Sequence, residues 1–218
     1  MMNYKFSPEL SQAIVDGILK GYRHYIHERE QKKREMLIRT GYAWVKGNHI
    51  EDAVAQECRK LGIQFEFSKA GYAWGYLKFE NKETNSLFII KSGGPSPQSS
   101  PSRKEEHYLV ELSKINRHID WQQLEQMNEV GEQLMLEDVT SQNFEQLSFG
   151  EFDSLKQTFD QFYIVSYEMD ETKLLSKIQL LMPTPGMKKI HLVEDWLPLA
   201  FHSSYHITEI EVEGIRGE

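Results

Sequence analysis

The segment Ser86-Leu87-Phe88-Ile89-Ile90-Lys91 places four large apolar residues in a row between polar ends. A short continuous run of this kind is typical of a β-strand that is buried on both faces. The strand Tyr72–Glu80 precedes it across the polar turn Asn81–Asn85, which predicts a β-hairpin. Ile63–Ser68, in which apolar and polar residues alternate, adds one more strand. The sequence therefore predicts a three-stranded sheet in the first half of the chain.

A second group of strands lies near the C-terminal end. Phe162–Met169 and Leu174–Met182 flank the polar turn Asp170–Lys173, which predicts another hairpin. A further strand is expected within Lys188–Val193, and one more is expected in the tail near Ile207–Val212. Together these segments predict a C-terminal antiparallel β-meander.

The chain opens with a well-marked helix. Ser7-Pro8-Glu9 combines a hydroxyl N-cap, a proline at the first helical position and an acid near the positive helix end. Apolar residues follow on one face of the helix, and from Arg29 onward the positions on that face are occupied by charged residues. We therefore expect Glu28–Arg34 to be exposed, as a projecting helix end or as a loop. Met36 and Leu37 are expected to lie on the apolar face of the helix again, and Gly41 is expected to end that face.

Further helix starts are marked by caps. Asn48-His49-Ile50-Glu51 has the form of a capping box, and Gly62 supplies the left-handed stop of that helix. Ser102-Arg103-Lys104-Glu105 and Ser148-Phe149-Gly150-Glu151 predict two more helix starts, whereas the stretch from Trp121 to Gln146 has no clear period. The helices separate from the strand clusters along the chain, which indicates an α+β fold.

The predicted architecture has two halves. Residues 1–92 form N-terminal helices packed on the three-stranded antiparallel sheet, and 103–218 form an acidic α/β subdomain. Residues 93–102 hold three prolines and no large apolar residue, so they predict a flexible loop between the halves. Each half alone has a small core, and a single continuous domain is the alternative.

Composition excludes several classes of protein. The chain has 218 residues, of which 39% are hydrophobic and 27% are charged, and it has one cysteine, Cys58. These values exclude wholesale disorder and a disulfide scaffold. The start lacks the apolar run of a signal peptide, and no segment reaches the ~18 apolar residues of a membrane helix. We therefore expect a cytoplasmic protein with no membrane partner. Gly93-Gly94 is not followed by the Lys-Ser/Thr of a phosphate loop, and no cofactor is expected.

Charge is distributed unevenly along the chain. Residues 1–119 hold 19 Lys and Arg against 14 Asp and Glu, whereas 120–218 hold 6 against 19. The basic excess is densest in 20–46, with 8 basic and 3 acidic residues. An uneven charge distribution of this kind is informative about binding partners rather than about the fold. The basic segment is suited to nucleic-acid phosphates, and it is equally suited to the acidic half of its own chain or of a second copy.

The leading hypothesis is a non-enzymatic binding or regulatory module that contacts nucleic acid. Nothing resembles a recognition helix, so the basic residues are expected to neutralise phosphates rather than to read bases. The predicted nucleic-acid-binding residues are Arg23, Arg29, Lys32, Lys33, Arg34 and Arg39. A self-associating protein-interaction module, in which the basic segment of one copy meets the acidic half of another, is an alternative.

An enzyme is the other alternative. The order helix, three strands, helix and strand is similar to that of metal-dependent nucleases of the restriction-endonuclease type, which hold Mg²⁺ with acids on neighbouring strands and use a lysine beside the attacking water. The nearest match is Glu66 followed by Glu80-Asn81-Lys82. Because Glu80 and Lys82 lie at the hairpin turn, where polar residues are expected anyway, a solvated turn is the favoured interpretation and no catalytic residue is assigned.

The histidine pairs, Cys58 and the two aromatic motifs are explained more simply by exposure or packing than by a functional site. His24 and His27, like His202 and His206, have the spacing of metal-ligand pairs but no neighbouring cysteine, so exposure is favoured and no metal is expected. Cys58 lies on the inward face of its helix, which indicates a small buried hydrophobe. Gly-Tyr-Ala-Trp occurs at 41–44 and 71–74 beside lysines. Aromatic residues of this kind either stack on single-stranded nucleic acid or pack in half-buried strands, and packing is favoured.

Two segments resemble a known group of proteins. The hairpin Phe162–Pro185 with Val193-Glu194-Asp195-Trp196, and the helix His107–Asn116 after the strand Ser86–Lys91, resemble an uncharacterised family of bacterial and prophage-borne proteins with no assigned activity. The resemblance covers residues 48–200. It implies a bacterial or phage context and transfers no functional residue.

Overall fold

The computed structural model describes residues 4–38, 40–70, 74–94, 108–122, 124 and 159–215. It confirms the α+β class: helices accompany one mixed sheet of six strands. The strands lie in the sheet in chain order, and they are β1 (Gln64–Ala70), β2 (Trp74–Asn81), β3 (Ser86–Ser92), β4 (Gln161–Met169), β5 (Leu175–Pro183) and β6 (Ile190–Asp195).

The first three strands form the predicted antiparallel ladder. Phe65 lies opposite Phe79, and Phe79 lies opposite Phe88, so aromatic residues face one another across three strands. The rings of Phe79 and Phe88 are stacked with their centroids 4.8 Å apart. The register thus pairs large apolar side chains, which are the main source of sheet stability.

β3 and β4 run in the same direction. At one end the Asp160 N–H donates to the Asn85 carbonyl at 2.9 Å, and at the other the Ser166 hydroxyl donates to the Gly93 carbonyl at 3.1 Å. A parallel pair requires a long crossover connection, and residues 94–159 supply it. The sheet is therefore mixed, with antiparallel ladders on one side and the antiparallel pair β5–β6 on the other.

This single sheet corrects the predicted arrangement of a three-stranded sheet and a separate C-terminal meander. The reason lies in β3, whose first five residues are all buried. A strand that is buried on both faces belongs in the interior of a sheet, with a partner on each side. β4 fills the place that a three-stranded sheet leaves empty, and the two predicted strand groups become one.

One face of the sheet is covered by the helix α3 (Tyr108–Ser113) and the 3-10 helix Lys114–His118, which contribute to a shared apolar core. Asn116 in this 3-10 helix is fully buried. Its amide donates to the carbonyls of Phe162 (2.9 Å) and Pro183 (2.8 Å), and its oxygen accepts from the Phe162 N–H at 2.7 Å. Every polar group of this buried side chain is thereby bonded, so its burial carries little penalty.

The first helix, α1, spans Pro8–Glu35. The predicted cap is confirmed, because the Ser7 hydroxyl accepts from the Leu10 N–H at 3.3 Å. The helix continues without a break through the charged segment and ends where Met36 adopts an extended backbone. Of the two predicted alternatives for Glu28–Arg34, the structure has the helix end rather than the loop.

The second helix, α2 (Lys46–Lys60), packs closely against α1 at two glycines one turn apart. A Cβ at Gly17 would lie 2.5 Å from the Val54 Cα, and one at Gly21 would lie 2.4 Å from the His49 carbonyl oxygen. The backbones therefore approach to a distance that no other residue type permits.

The predicted start of α2, with Asn48 as the N-cap, is wrong by three residues, because the N-cap is Val45. The 3-10 helix Thr40–Val45 leads directly into α2, and Asn48 already lies inside it. The stop is confirmed, because Gly62 has a φ of 76°. The tail near Ile207–Val212 is also corrected: it forms a helix, since Thr208 and Glu211 complete a capping box. Two short helices close the described chain, α4 (Leu197–Ala200) and α5 (Glu209–Glu213).

The residues divide into two compact units. One comprises residues 1–5, Gln64–Ser166 and Gln179–Asp195, and the other comprises Phe6–Ile63, Tyr167–Ile178 and Trp196–Glu218. Most of the predicted loop 93–102, the helix starts at Ser102 and Ser148 and nearly all of 121–146 lie outside the described residues. The division into 1–92 and 103–218 stays a prediction. None of the helices in the described ranges has the length and apolar character needed to cross a bilayer.

Candidate nucleic-acid interface

The last turn of α1 carries three consecutive cations, Lys32, Lys33 and Arg34, which we call the basic turn. Lys33 and Arg34 are exposed and Lys32 is half-buried. The turn is complete, because the Met36 N–H donates to the Lys32 carbonyl at 2.9 Å. Cations at the C-terminal end of a helix interact favourably with the negative end of its dipole. The three cations of the basic turn therefore also stabilise α1.

Two of the six predicted residues contact the C-terminal tail. The guanidinium of Arg23 lies 2.9 Å from a Glu211 carboxylate oxygen and also donates to the His206 carbonyl. The Lys33 ammonium donates to the Gly214 carbonyl at 3.0 Å. The pKa of Glu211 is lowered, because the hydrogen bonds from Thr208 and the charge of Arg23 outweigh the effect of burial. Part of the basic segment is thus neutralised within the chain.

Lys32 lies between an acid and an aromatic residue. Its ammonium is 2.9 Å from a Glu35 carboxylate oxygen, and this bond raises the pKa of Lys32 and lowers that of Glu35. Lys32 is also close enough to Tyr42 for the two groups to interact electrostatically. Glu28, one turn before Lys32 on α1, lines a common groove with Tyr42, so this face of α1 lies towards the 3-10 helix Thr40–Val45.

The remaining predicted residues have different surroundings. The Arg29 guanidinium donates to the Tyr25 hydroxyl and lies 5.8 Å from the centroid of the same ring. Arg34 borders a shallow hollow on α1 together with His27, Glu30, Gln31 and Glu35. Arg39 lies outside the described residues.

The segment after α1 exposes four large apolar side chains, which we call the apolar ridge: Met36, Leu37, Ile38 and Trp44. The prediction that Met36 and Leu37 return to the apolar face is wrong, because α1 ends at Glu35 and the helical phase is lost; Leu37 is 100% exposed. The favoured packing of Trp44 in a half-buried strand is also wrong, since Trp44 lies in a 3-10 helix and is 59% exposed.

A groove of about 640 Å³ lies beside the apolar ridge. Its lining combines apolar, amide, imidazole and carboxylate groups, and it consists of Glu28, Met36, Ile38, Gly41, Tyr42, Val45, Asn48, His49 and Asp52. His49 lies 3.0 Å from a Glu28 carboxylate oxygen, and its ring is 6.2 Å from that of Tyr25. The groove is therefore polar on its α1 and α2 walls and apolar towards the ridge.

The lining of the groove is better suited to a nucleic-acid base than to a phosphate group. The carboxylates of Glu28 and Asp52 repel phosphates, but they accept hydrogen bonds from the amino groups of bases. Tyr42 and the exposed Trp44 offer ring faces for stacking, and Lys32 of the basic turn interacts electrostatically with Tyr42. A single strand fits this pattern when its bases face the groove and its phosphates face the basic turn.

Among the described residues, the candidate residues of the nuclease alternative are not part of a cluster of acids that could hold a metal ion. Glu66 lies 3.3 Å from the buried ammonium of Lys78, the residue opposite it on β2. Glu80 lies opposite Gln64, and Lys82 is exposed in the turn after β2. Among the described residues, no group of three or more His, Cys, Asp and Glu side chains is arranged to hold a metal ion. The nuclease alternative, which was not the favoured interpretation, stays untested.

The histidines and the cysteine are placed as the sequence indicates. His24 and His27 are exposed on α1, and the pKa of His24 is lowered by partial burial and by the neighbouring Lys20. Cys58 is fully buried on the inward face of α2, and burial raises the pKa of its thiol to about 12. A neutral thiol without solvent contact is a poor nucleophile, so Cys58 serves packing.

The amino-acid sequence has no match among protein-family models, curated proteins or solved structures.

Proposed function

We propose that this protein is a binding module for single-stranded nucleic acid, and that the strand lies across the basic turn, the apolar ridge and the groove. The observation that carries the proposal is the exposure of Trp44 in the segment that follows the basic turn and whose Tyr42 lines the groove. Exposed aromatic faces beside cations are the combination by which proteins hold single strands without reading their sequence.

The expected role of each group follows from its chemistry. Lys32, Lys33 and Arg34 neutralise phosphates, and Arg29 adds a fourth cation one turn earlier on α1. Trp44 and Tyr42 stack on bases. Arg23 is not expected to contact phosphates, because its guanidinium is bonded to Glu211 and the His206 carbonyl.

The proposal concerns binding and includes no chemical step. Its setting is a further part of the proposal: a cytoplasmic protein of bacterial or prophage origin, as the resemblance of residues 48–200 implies. The contacts to phosphates and ring faces do not depend on sequence, whereas the Glu28 and Asp52 carboxylates favour bases that carry an amino group.

Fluorescence anisotropy of labelled single-stranded and duplex oligonucleotides, in chelator and across a salt series, tests the proposal. Neutralising about four phosphates of a single strand gives a slope of log affinity against log salt of about −3. We expect this slope and weaker binding to the duplex, whose stacked bases are not accessible to Trp44. Equal affinity for both forms would refute the role of the aromatic residues, and no binding at low salt would refute the function.

A further inference from the structure

The polar wall of the groove is held in position by residues behind it. His49 lies 3.0 Å from a Glu28 carboxylate oxygen, and its ring is 6.2 Å from that of Tyr25. Tyr25 is stacked on Tyr22 with their centroids 6.1 Å apart, and we call these two residues the tyrosine pair. The Tyr22 hydroxyl donates to the Lys173 carbonyl at 2.7 Å, in the turn between β4 and β5. Contacts among three elements therefore fix the position of Glu28 and His49.

The lining of the groove has hydrogen-bonding groups that the described residues do not use. His49 contacts one Glu28 oxygen, and Gln56 donates to one Asp52 oxygen at 2.7 Å, so within the described ranges the second oxygen of each carboxylate is open. The Asn48 amide is exposed and forms no hydrogen bond with any described residue. The groove thus offers two acceptors and an amide that both donates and accepts.

Two of these groups are neighbours on α2. Asn48 and Asp52 are four residues apart in the helix and both line the groove, so their side chains lie side by side on one face. An asparagine amide pairs with adenine through two hydrogen bonds, because it donates to the ring nitrogen N7 and accepts from the amino group N6. The amino group has a second hydrogen, which the open oxygen of Asp52 can accept.

The other bases match the lining less well. Thymine and uracil have an oxygen, O4, in place of this amino group, and guanine has O6, so the Asp52 carboxylate would repel all three. Cytosine has an amino group but only one ring. It would cover less of the apolar wall of the groove, which is formed by Met36, Ile38 and Val45, than the two rings of a purine would.

We propose that the groove binds an adenine base and that Asn48 and Asp52 determine this specificity. The base lies against Tyr42 and the apolar wall, Asn48 pairs with N6 and N7, and Asp52 accepts the second N6 hydrogen. The adenine belongs to a single strand or to a free adenine nucleotide, which share this chemistry. For a strand, the inference rests on the proposed function, and it adds a preference for one base to contacts that are independent of sequence.

Fluorescence anisotropy of the full chain with two labelled strands tests the preference. One strand contains only thymidines, and the other has a single adenosine at its centre. We expect the wild type to bind the second strand about 5- to 100-fold more tightly, which is the discrimination of one paired base edge. Asp52→Asn should lose most of this preference, because the new amide can also donate to thymine O4. Glu83→Gln, an exposed residue outside the groove with the same change of charge, should keep it.

A second variant guards against a general effect of charge at position 52. Asn48→Ala leaves the net charge unchanged, and the side chain that it removes is exposed, so the fold should be retained. It should weaken binding of the adenosine-containing strand and leave the affinity for the thymidine strand unchanged. A preference that persists in both Asp52→Asn and Asn48→Ala would overturn the inference.

Adenosine monophosphate and thymidine monophosphate distinguish the two sources of the base. Displacement of the strand by the adenine nucleotide alone, lost in Asp52→Asn, would show that a free nucleotide is also a ligand. No displacement, with the strand preference intact, would identify the adenine of a strand. Equal affinity of the wild type for the two strands, without displacement, would overturn the inference and leave the proposed function standing, and a central cytidine that binds as well as adenosine would overturn the choice of adenine.

Failure of the proposed function gives a different result, because then neither strand binds. Equilibrium dialysis against the two nucleotides still tests the groove in that case. Retention of adenosine monophosphate alone would support an adenine site without strand binding, and retention of neither nucleotide would overturn the inference as well.

Discussion

Gly21 shows how a single residue sets the distance between α1 and α2. Its missing side chain leaves room for the carbonyl of His49, the residue that links the tyrosine pair of α1 to the wall of the groove. The position of His49, and with it the shape of the groove, therefore depends on a glycine in the interior of a helix, where glycine is intrinsically unfavourable.

Gly21→Ala is expected to destabilise the protein by about 1–3 kcal/mol or more, because the new methyl group would lie 2.4 Å from a backbone oxygen that has no room to move. Gly47→Ala is the matched control: it also lies in a helix, and no atom lies within 4 Å of the place that its new methyl group would take. We expect it to stabilise by about 0.5–1 kcal/mol. Urea unfolding measures both, and equal effects of the two substitutions would contradict the close approach of the helices.

Trp44 is the residue on which the proposed function depends most directly, because its ring is largely exposed. Trp44→Ala should weaken single-strand binding by about 1–3 kcal/mol, which corresponds to a loss of roughly 5- to 150-fold, because one stacking platform is removed. The stability of the fold should change little, since the side chain is mostly exposed. Phe201→Ala, at another exposed aromatic residue, is the control. Equal affinities of wild type and Trp44→Ala in anisotropy titrations would exclude stacking.

At the scale of elements, the pair α1 and α2 is joined by a charged contact as well as by glycines. Glu57 of α2 is 8% exposed, and its carboxylate lies 2.9 Å from the ammonium of Lys20 on α1 and also accepts from Lys60. Burial acts to raise the pKa of Glu57, but the hydrogen bonds and charges of the two lysines outweigh it, so the pKa is lowered.

The lowered pKa makes stability depend on pH in a defined direction. The contribution of Glu57 is fully present above the pKa of an unfolded glutamate, about 4.3, and is lost as the pH falls through the lower folded pKa. Glu57→Gln should cost about 1–3 kcal/mol at pH 7, and the difference from wild type should shrink in acid. Glu168→Gln, which removes a more exposed ion pair with Lys177, should cost less than about 1 kcal/mol. A difference that stays constant with pH would contradict this account.

Elements with local determinants were predictable from the sequence. Ser7 and Pro8 mark the start of α1, Gly62 marks the end of α2, and the turns at 81–85 and 170–173 mark two hairpins, because each depends on residues within a few positions. The capping box of α5, Thr208 with Glu211, was also present in the sequence, but the β-branched residues around it favoured a strand.

Other features depend on contacts that the sequence pattern does not contain. The parallel pairing of β3 with β4 joins residues about 75 positions apart, as the bond from Asn85 to Asp160 shows, and no local motif specifies it. The apolar ridge was missed because α1 ends at Glu35 without a glycine or proline, so the helical period appeared to continue to Leu37. The basic residues were found by composition, but their partners, Glu211 and the Gly214 carbonyl, come from the far end of the chain.

At the scale of the whole molecule, the charge split has a partial explanation within the chain. Arg23 of α1 pairs with Glu211 of the acidic tail, which accounts for a small part of the opposite charge of the two sequence halves, whereas Lys33 contacts a backbone carbonyl of the tail. Fewer charges are therefore left to pair two copies of this chain in the self-association alternative. The basic turn is left at the surface beside exposed aromatic and apolar side chains, and this combination is the basis of the proposed function.

The most direct test of that function is the affinity of a charge-reversed basic turn for a single strand. The variant Lys32→Glu, Lys33→Glu, Arg34→Glu is compared by fluorescence anisotropy with a control that carries the same change of net charge elsewhere, Lys82→Glu, Lys188→Glu, Lys189→Glu. We predict that the first variant loses binding and that the control retains most of it, with a salt slope of about −3. Equal affinities of the two variants would show that binding follows net charge alone and would contradict the assignment of the basic turn.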